Sequence, residues 1–169
     1  MKSAEQARGF TLIELLVVIT IIGILAAVVI VSLQDAREKS RNQASVSQLI
    51  EYTKALELYY ADNGNYPTST GLDCLGSGYP NGCYDNSAPY TNDPSVDAAL
   101  AEYIPGLPTL GVINTGYRDG AMYTSDGPNS QRYRILIIFE GNIDCPLESY
   151  SSAYYNTNDT KLCRYYFPE

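Results

Sequence analysis

From Leu12 to Leu33 the chain is almost entirely Leu, Ile, Val and Ala, with Thr20 and Gly23 as mild exceptions and one carboxylate, Glu14, near the start. At about 1.5 Å rise per residue, a helix over this run spans roughly 33 Å, the thickness of a bilayer's hydrocarbon core. A charged side chain costs roughly 2.5–3.5 kcal/mol at the centre of a membrane helix and less near an interface, and a carboxylate kept there usually has a partner. The run exceeds the roughly 7–15 residue apolar core of a secretory signal. No small-x-small cleavage site follows it. Gln34-Asp35-Ala36-Arg37 reads instead as the first turn of a continuing solvated helix. The run is therefore expected to stay in the mature protein.

Charge does not orient this segment. Lys2, Arg8 and the amino terminus precede it, and Arg37, Lys39 and Arg41 follow it, a near tie on the positive-inside rule. The cysteines do orient it. Cys74, Cys83, Cys145 and Cys163 all follow the run, and four cysteines with no histidine fit two disulfides better than a metal site. The C-terminal part is thus expected outside the cytoplasm. Four cysteines allow three pairings, and sequence alone leaves them open. Cys74–Cys83 and Cys145–Cys163 are favoured because each closes a local loop. The net charge of −8 argues against a phosphate-binding basic surface. The 16 Tyr read as loop and core filler that combines burial with hydrogen bonding.

Gln34 to Ala61 holds no Gly or Pro. Val46, Leu49, Ile50, Thr53, Leu56 and Tyr60 recur near the 3, 4 spacing of one helical face, between Arg37, Glu38, Lys39, Arg41, Glu51, Lys54 and Glu57. One helix is expected from about Phe10 to Ala61, roughly 78 Å long, apolar all round in its first half and amphipathic in its second. Gly64 offers a left-handed cap and Pro67 forbids continuation. Residues 68–92, rich in Gly, Asn, Ser, Tyr and Pro, read as loop. Asp93 and Pro94 then suit the N-cap and first position of a short helix ended by Pro105. Strands are expected over Ala121–Ser125 and Arg132–Glu140, joined through Asp126-Gly127-Pro128-Asn129, with a third near Leu162–Phe167. Alternation sets Tyr133, Ile135, Ile137 and Phe139 on one face and Arg134, Leu136, Ile138 and Glu140 on the other. The first set is expected to pack on the amphipathic half of the long helix.

Gly9-Phe10-Thr11-Leu12-Ile13-Glu14-Leu15, continuing through Ile19-Thr20-Ile21-Ile22-Gly23-Ile24-Leu25-Ala26-Ala27, resembles the prepilin processing motif of bacterial type IV pilins and type II secretion pseudopilins. The charged, glycine-ended leader Met1 to Gly9 fits it. Tyr59-Tyr60-Ala61-Asp62-Asn63-Gly64-Asn65-Tyr66-Pro67 is similar to the helix-to-loop junction of many such subunits. The resemblance implies an α+β, type IV pilin-like fold. A long N-terminal helix with a membrane-spanning first half would pack on a small antiparallel sheet with disulfide-stapled loops. Residues 1–9 would be a leader, 10–33 the membrane and filament-core half of the helix, 34–62 its amphipathic half and 63–169 a globular head. A prepilin peptidase would cut between Gly9 and Phe10 and methylate the Phe10 amine. The subunit would then leave the cytoplasmic membrane for a helical homopolymer built by pilus or secretion machinery. Many pilins carry a proline where this chain has Val31, which implies a straighter helix here, with any local melting near Gly23.

Glu14 then acquires a partner: the amine of a neighbour's Phe10, which stays charged after methylation. Such a pair specifies register more than stability. Gly9 would fit a peptidase pocket too tight for a side chain. Gly23 and Ala27 form a small-xxx-small pair that lets helices approach closely. No cofactor is expected. Some pseudopilins hold calcium in C-terminal loops, but Asn156, Asn158 and Asp159 show no fixed ligand spacing and read as solvated loop; Asn158-Asp159-Thr160 also fits a glycosylation acceptor. With no histidine, Ser-His-Asp and Cys-His catalysis are excluded, and no phosphate-cradling loop is present. The chain reads as a filament subunit and not an enzyme. A type IV pilin comes first, a type II secretion pseudopilin second and a monomeric membrane-anchored binding module third. Nucleic acid is disfavoured by the acidic head, with Arg118, Arg132 and Arg134 as a local exception.

Overall fold

The computed structural model describes residues 10–76, 83, 94–106, 120–141, 143–147, 150–156 and 160–168. Their elements, in chain order, are α1 (Leu12–Asn63), β1 (Asp73–Cys74), α2 (Pro94–Leu100), β2 (Ala121–Ser125), β3 (Tyr133–Glu140), β4 (Tyr150–Asn156) and β5 (Thr160–Phe167). The chain divides into two compact units, Met1–Arg37 and Glu38–Glu169.

In the first unit every described residue, 10–37, is exposed. The segment is rich in β-branched Val and Ile, which are mediocre helix formers in water. A bilayer reverses that preference, because a helix satisfies every backbone group within one segment. The run's hydroxyls are satisfied the same way. Thr20 donates to the carbonyls of Leu16 and Val17, and Ser32 to that of Val29. By length and composition this part of α1 is sufficient to cross a membrane.

In the second unit the remainder of α1 packs on a five-stranded antiparallel sheet of order β1-β2-β3-β5-β4. The buried face of α1 is Asn42, Ser45, Leu49, Tyr52, Ala55 and Leu56. This corrects the expected face. Ile50 is 37% exposed and Val46 and Tyr60 are only partly covered, while Tyr52 and Ala55 point inward. Apolarity alone misplaces the stripe, because two polar residues, Asn42 and Ser45, belong to it. Leu49 and Leu56, fully buried, each contribute roughly 1.5–3 kcal/mol. They meet Tyr133, Ile135, Ile137 and Phe139 of β3, the expected inner set.

α1 ends as its sequence dictates. Gly64 adopts φ +74° and its N–H donates to the Tyr60 carbonyl at 2.7 Å, the expected left-handed cap, while the helix itself runs to Asn63, two residues beyond Ala61. β2 and β3 pair from Ala121↔Ile137 to Ser125↔Tyr133, so β3 starts one residue later than read from sequence. β5 pairs with β3 along its whole length and with β4 on its other side. β4 and the two-residue β1 fall where the sequence reads as loop. Tyr-Ser-Ser-Ala-Tyr-Tyr-Asn has no Val or Ile and little alternation, and it becomes a strand by pairing with β5.

Both faces of the sheet carry buried apolar residues. Beside the main core, Leu136 and Ile138 of β3 join Met122, Leu162, Cys74 and Cys83 in a second apolar cluster, with Leu72 against it. The disulfides join Cys74 to Cys83 and Cys145 to Cys163. Asp93 and Asn158 lie outside the described residues, whereas α2 begins at Pro94, its expected first position.

Candidate functional site

The start of α1 holds the carboxylate singled out in the sequence. Thr11 precedes the first helical residue, Leu12, so Thr11 is the N-cap and Glu14 the third helical position. Glu14 Oε2 accepts from the Thr11 N–H at 2.8 Å and from the Thr11 hydroxyl at 2.7 Å, and the Glu14 N–H donates back to Thr11 Oγ1 at 3.3 Å. This is a reciprocal capping box, worth more where the helix dipole presents its positive end. The signal is present in the sequence as Thr-x-x-Glu at the head of an apolar run, but a search for a countercharge outside the subunit passes over it.

The cap changes what Glu14 can offer. Both Thr11 bonds converge on Oε2, so Oε1 stays available to a further donor. Phe10, 87% exposed, lies immediately ahead of the cap and lines one shallow apolar surface with Leu12, Leu15 and Val18. Gly9 lies outside the described residues. Gly23 and Ala27 are both exposed, and a Cβ at Gly23 would meet no atom within 4 Å.

In the second unit α1 is tied to β3 by polar contacts at Glu140. Asn42 donates through Nδ2 to the Glu140 carbonyl at 2.9 Å and accepts the Glu140 N–H at 3.0 Å. Arg41 pairs with the Glu140 carboxylate at 2.5 Å. Asp97 of α2 accepts the Gly76 N–H at 3.0 Å, and burial holds its carboxyl above the ordinary range. Tyr66 donates to Glu57 at 2.9 Å and Tyr123 to the Pro67 carbonyl at 2.7 Å. Among the described residues no group of three or more His, Cys, Asp or Glu side chains could hold a metal ion. Arg132 and Arg134 line one pocket, while Arg118, the third member of the expected cationic patch, lies outside the described residues.

Comparisons with known proteins converge on the same features. Residues 6–30 match the model of the prokaryotic N-terminal methylation motif, and residues 32–108 match that of type II secretion system protein G. The chain is 43% identical over 76 residues to the type II secretion system core protein G of Escherichia coli, covering 44% of this chain and 52% of that protein. It is 46% identical over 65 residues to the type IV wide pilus major component PilA4 of Thermus thermophilus, covering 38% of this chain and 50% of the other. It thus spans about half the length of these relatives. No solved structure matches it. The core protein G of Klebsiella pneumoniae is covered further, over 95 residues at 40% identity, which is 50% of this chain and 68% of that protein. The chain belongs to the type IV pilin and type II secretion pseudopilin family, whose members are structural subunits.

Proposed function

We propose that this chain is a structural subunit of a type IV pilus, polymerising through α1 into an extracellular filament for adhesion, motility or surface contact. The observation that carries the reading is the first unit: an apolar helix exposed on every side and opened by a capped carboxylate. Before assembly a bilayer covers that surface; after assembly the helices of other copies do. Processing between Gly9 and Phe10 creates the amine, and Glu14 Oε1 accepts it from a neighbour. Prepilin peptidase and a filament assembly machinery are the implied partners. A second reading, a secretion pseudopilus, is favoured by the protein G match over residues 32–108.

Electron microscopy of sheared surface filaments, with mass spectrometry of the subunit, tests the main reading. Filaments whose subunit begins at methylated Phe10 are expected, and filaments retaining residues 1–9 would contradict it. A deletion strain that stops secreting proteins yet never had surface fibres indicates the pseudopilus. Two substitutions separate the roles of Glu14. Glu14→Gln keeps a side chain able to cap at this position but removes the charge; Glu14→Ala removes both. Both are expected to insert in the membrane and both to lose filaments. Normal filaments from Glu14→Gln would show that charge is not required.

A further inference from the structure

One face of the sheet carries a cationic cluster that the acidic composition does not anticipate. Arg132 and Arg134 flank Tyr133, the first residue of β3, and as alternate residues they share a face. Across the ladder Arg134 pairs with Tyr166, and its guanidinium carbon lies 5.9 Å from the Tyr166 ring centroid. Arg164 is two residues along β5 from Tyr166, paired with Leu136. Arg134 and Arg164 thus share a sheet face with Tyr166, and Arg132 lines a pocket with Arg134 and Tyr166, in a chain with 19 acidic and 11 basic residues.

Among the described residues none of the three has a carboxylate in ion-pair range. The Nε atoms of Arg134 and Arg164 are withdrawn from solvent and have no acceptor. Asp126, Arg132, Arg134, Tyr166 and Pro168 line a pocket, Asp126 lying beyond ion-pair range of the arginines. Tyr166 remains 36% exposed. Guanidinium forks match carboxylates in two-pronged geometry and also stack on aromatic rings.

We propose that this Arg132–Arg134–Arg164–Tyr166 face docks exposed carboxylates of a second copy of this chain. The inference rests on the filament reading in that it requires copies held side by side. The argument for that occupant is charge complementarity. Glu51, Glu102 and Asp144 stand exposed with no cation within 4 Å among the described residues, so each copy presents the carboxylates that the arginines of another lack. A long polyanion would have to approach against the field of a chain of net charge −8. Glu51, Glu102 or Asp144 of a second copy supplies a carboxylate acceptor without a long polyanion.

The test is a photo-crosslinking residue, p-benzoylphenylalanine, at Tyr166 in the full-length chain, in the producing cells. A second position, Arg132, lies outside the strands and covers the case in which the first variant fails to fold. Crosslinking to an acid-containing segment of another copy is expected. Arg134→Glu with Arg164→Glu should lower that dimer about tenfold or more, since like charges across an interface oppose docking. Arg134→Lys with Arg164→Lys should keep it within about threefold, because the charge remains. A different protein, a nuclease-sensitive adduct or no adduct at both positions would overturn the proposal. Microscopy of the same cells judges the filament reading separately. Filaments without the crosslink remove this interface alone, and a dimer crosslink without filaments removes the filament reading alone.

Discussion

At the scale of single residues, Asn42 shows how a polar side chain can hold a helix to a sheet. β2 pairs with β3 as far as Ile137, and the last contact on that side among the described residues is the Ile138 N–H to the Gly120 carbonyl at 3.3 Å. Beyond it, no strand among the described residues neighbours the Glu140 N–H and C=O on that side. The Asn42 carboxamide carries the donor and acceptor of a peptide group and supplies both bonds. Asn42→Ala leaves both groups unsatisfied beneath α1, and a loss of about 1–3 kcal/mol is expected. Arg41→Ala, which removes a half-exposed ion pair, should cost less than about 1 kcal/mol. Thermal unfolding of the two full-length variants in detergent checks the order; equal losses would mean that Asn42 does not complete the ladder. The same residue marks a limit of sequence reading. Asn42 lies four residues before Val46 and seven before Leu49, on the same helical face, but its polarity hides it from a reading by apolar residues, and only the proximity of Glu140, nearly a hundred positions away, gives it a role.

At the scale of elements, the segments legible in the sequence are those whose local signals agree: the apolar run, the Gly64 cap, Pro94 at the start of α2, and the alternation of β3. What is not legible depends on partners distant in sequence. β4 becomes a strand through β5, and β1 through β2. The Thr11–Glu14 box is local and readable, since its spacing alone specifies it. The contact between α2 and the loop after β1 yields a prediction about pH. Burial raises the Asp97 carboxyl above the ordinary value of about 3.9. The folded state therefore holds this proton more tightly than the unfolded chain. Between the ordinary value and the raised one the unfolded state binds fewer protons, so this group's contribution to stability falls as pH rises through that window. Asp97→Asn keeps an oxygen to accept the Gly76 N–H and removes the charge. It should equal or exceed the wild type in melting temperature at pH 7 and match it near pH 3. A variant less stable than wild type at pH 7 would show that the charge itself is needed.

At the scale of the whole molecule, tyrosine replaces much of the aliphatic core, and this ties stability to alkaline pH. Tyr123, Tyr133 and Tyr66 are buried, with ring centroids of Tyr66 and Tyr133 4.5 Å apart and of Tyr123 and Tyr133 5.8 Å apart. Burial pushes all three phenols up, and the neighbouring Glu57 carboxylate adds to the shift at Tyr66 and Tyr133. An unfolded tyrosine loses its proton near pH 10. Above that pH the unfolded chain binds fewer protons than the folded one, so stability declines as pH rises. Each such group contributes a slope of about 1.4 kcal/mol per pH unit, and three together about 4. Against a typical total of roughly 5–15 kcal/mol, the second unit should unfold within a few pH units above 10. The buried phenols should therefore ionise in one cooperative step that coincides with loss of the sheet's circular dichroism, over a gradual background from exposed tyrosines. Glu57→Gln keeps an oxygen to accept the Tyr66 hydroxyl and removes the charge that opposes both phenolates. The gap between folded and unfolded phenols narrows, so the alkaline loss of stability ends sooner and the step should stay in place or move to higher pH. A step moved to lower pH would mean that the charged form of the Tyr66–Glu57 bond matters more than the repulsion. Ionisation of all 16 tyrosines in one broad titration with the sheet intact would mean that these rings reach solvent in the folded protein.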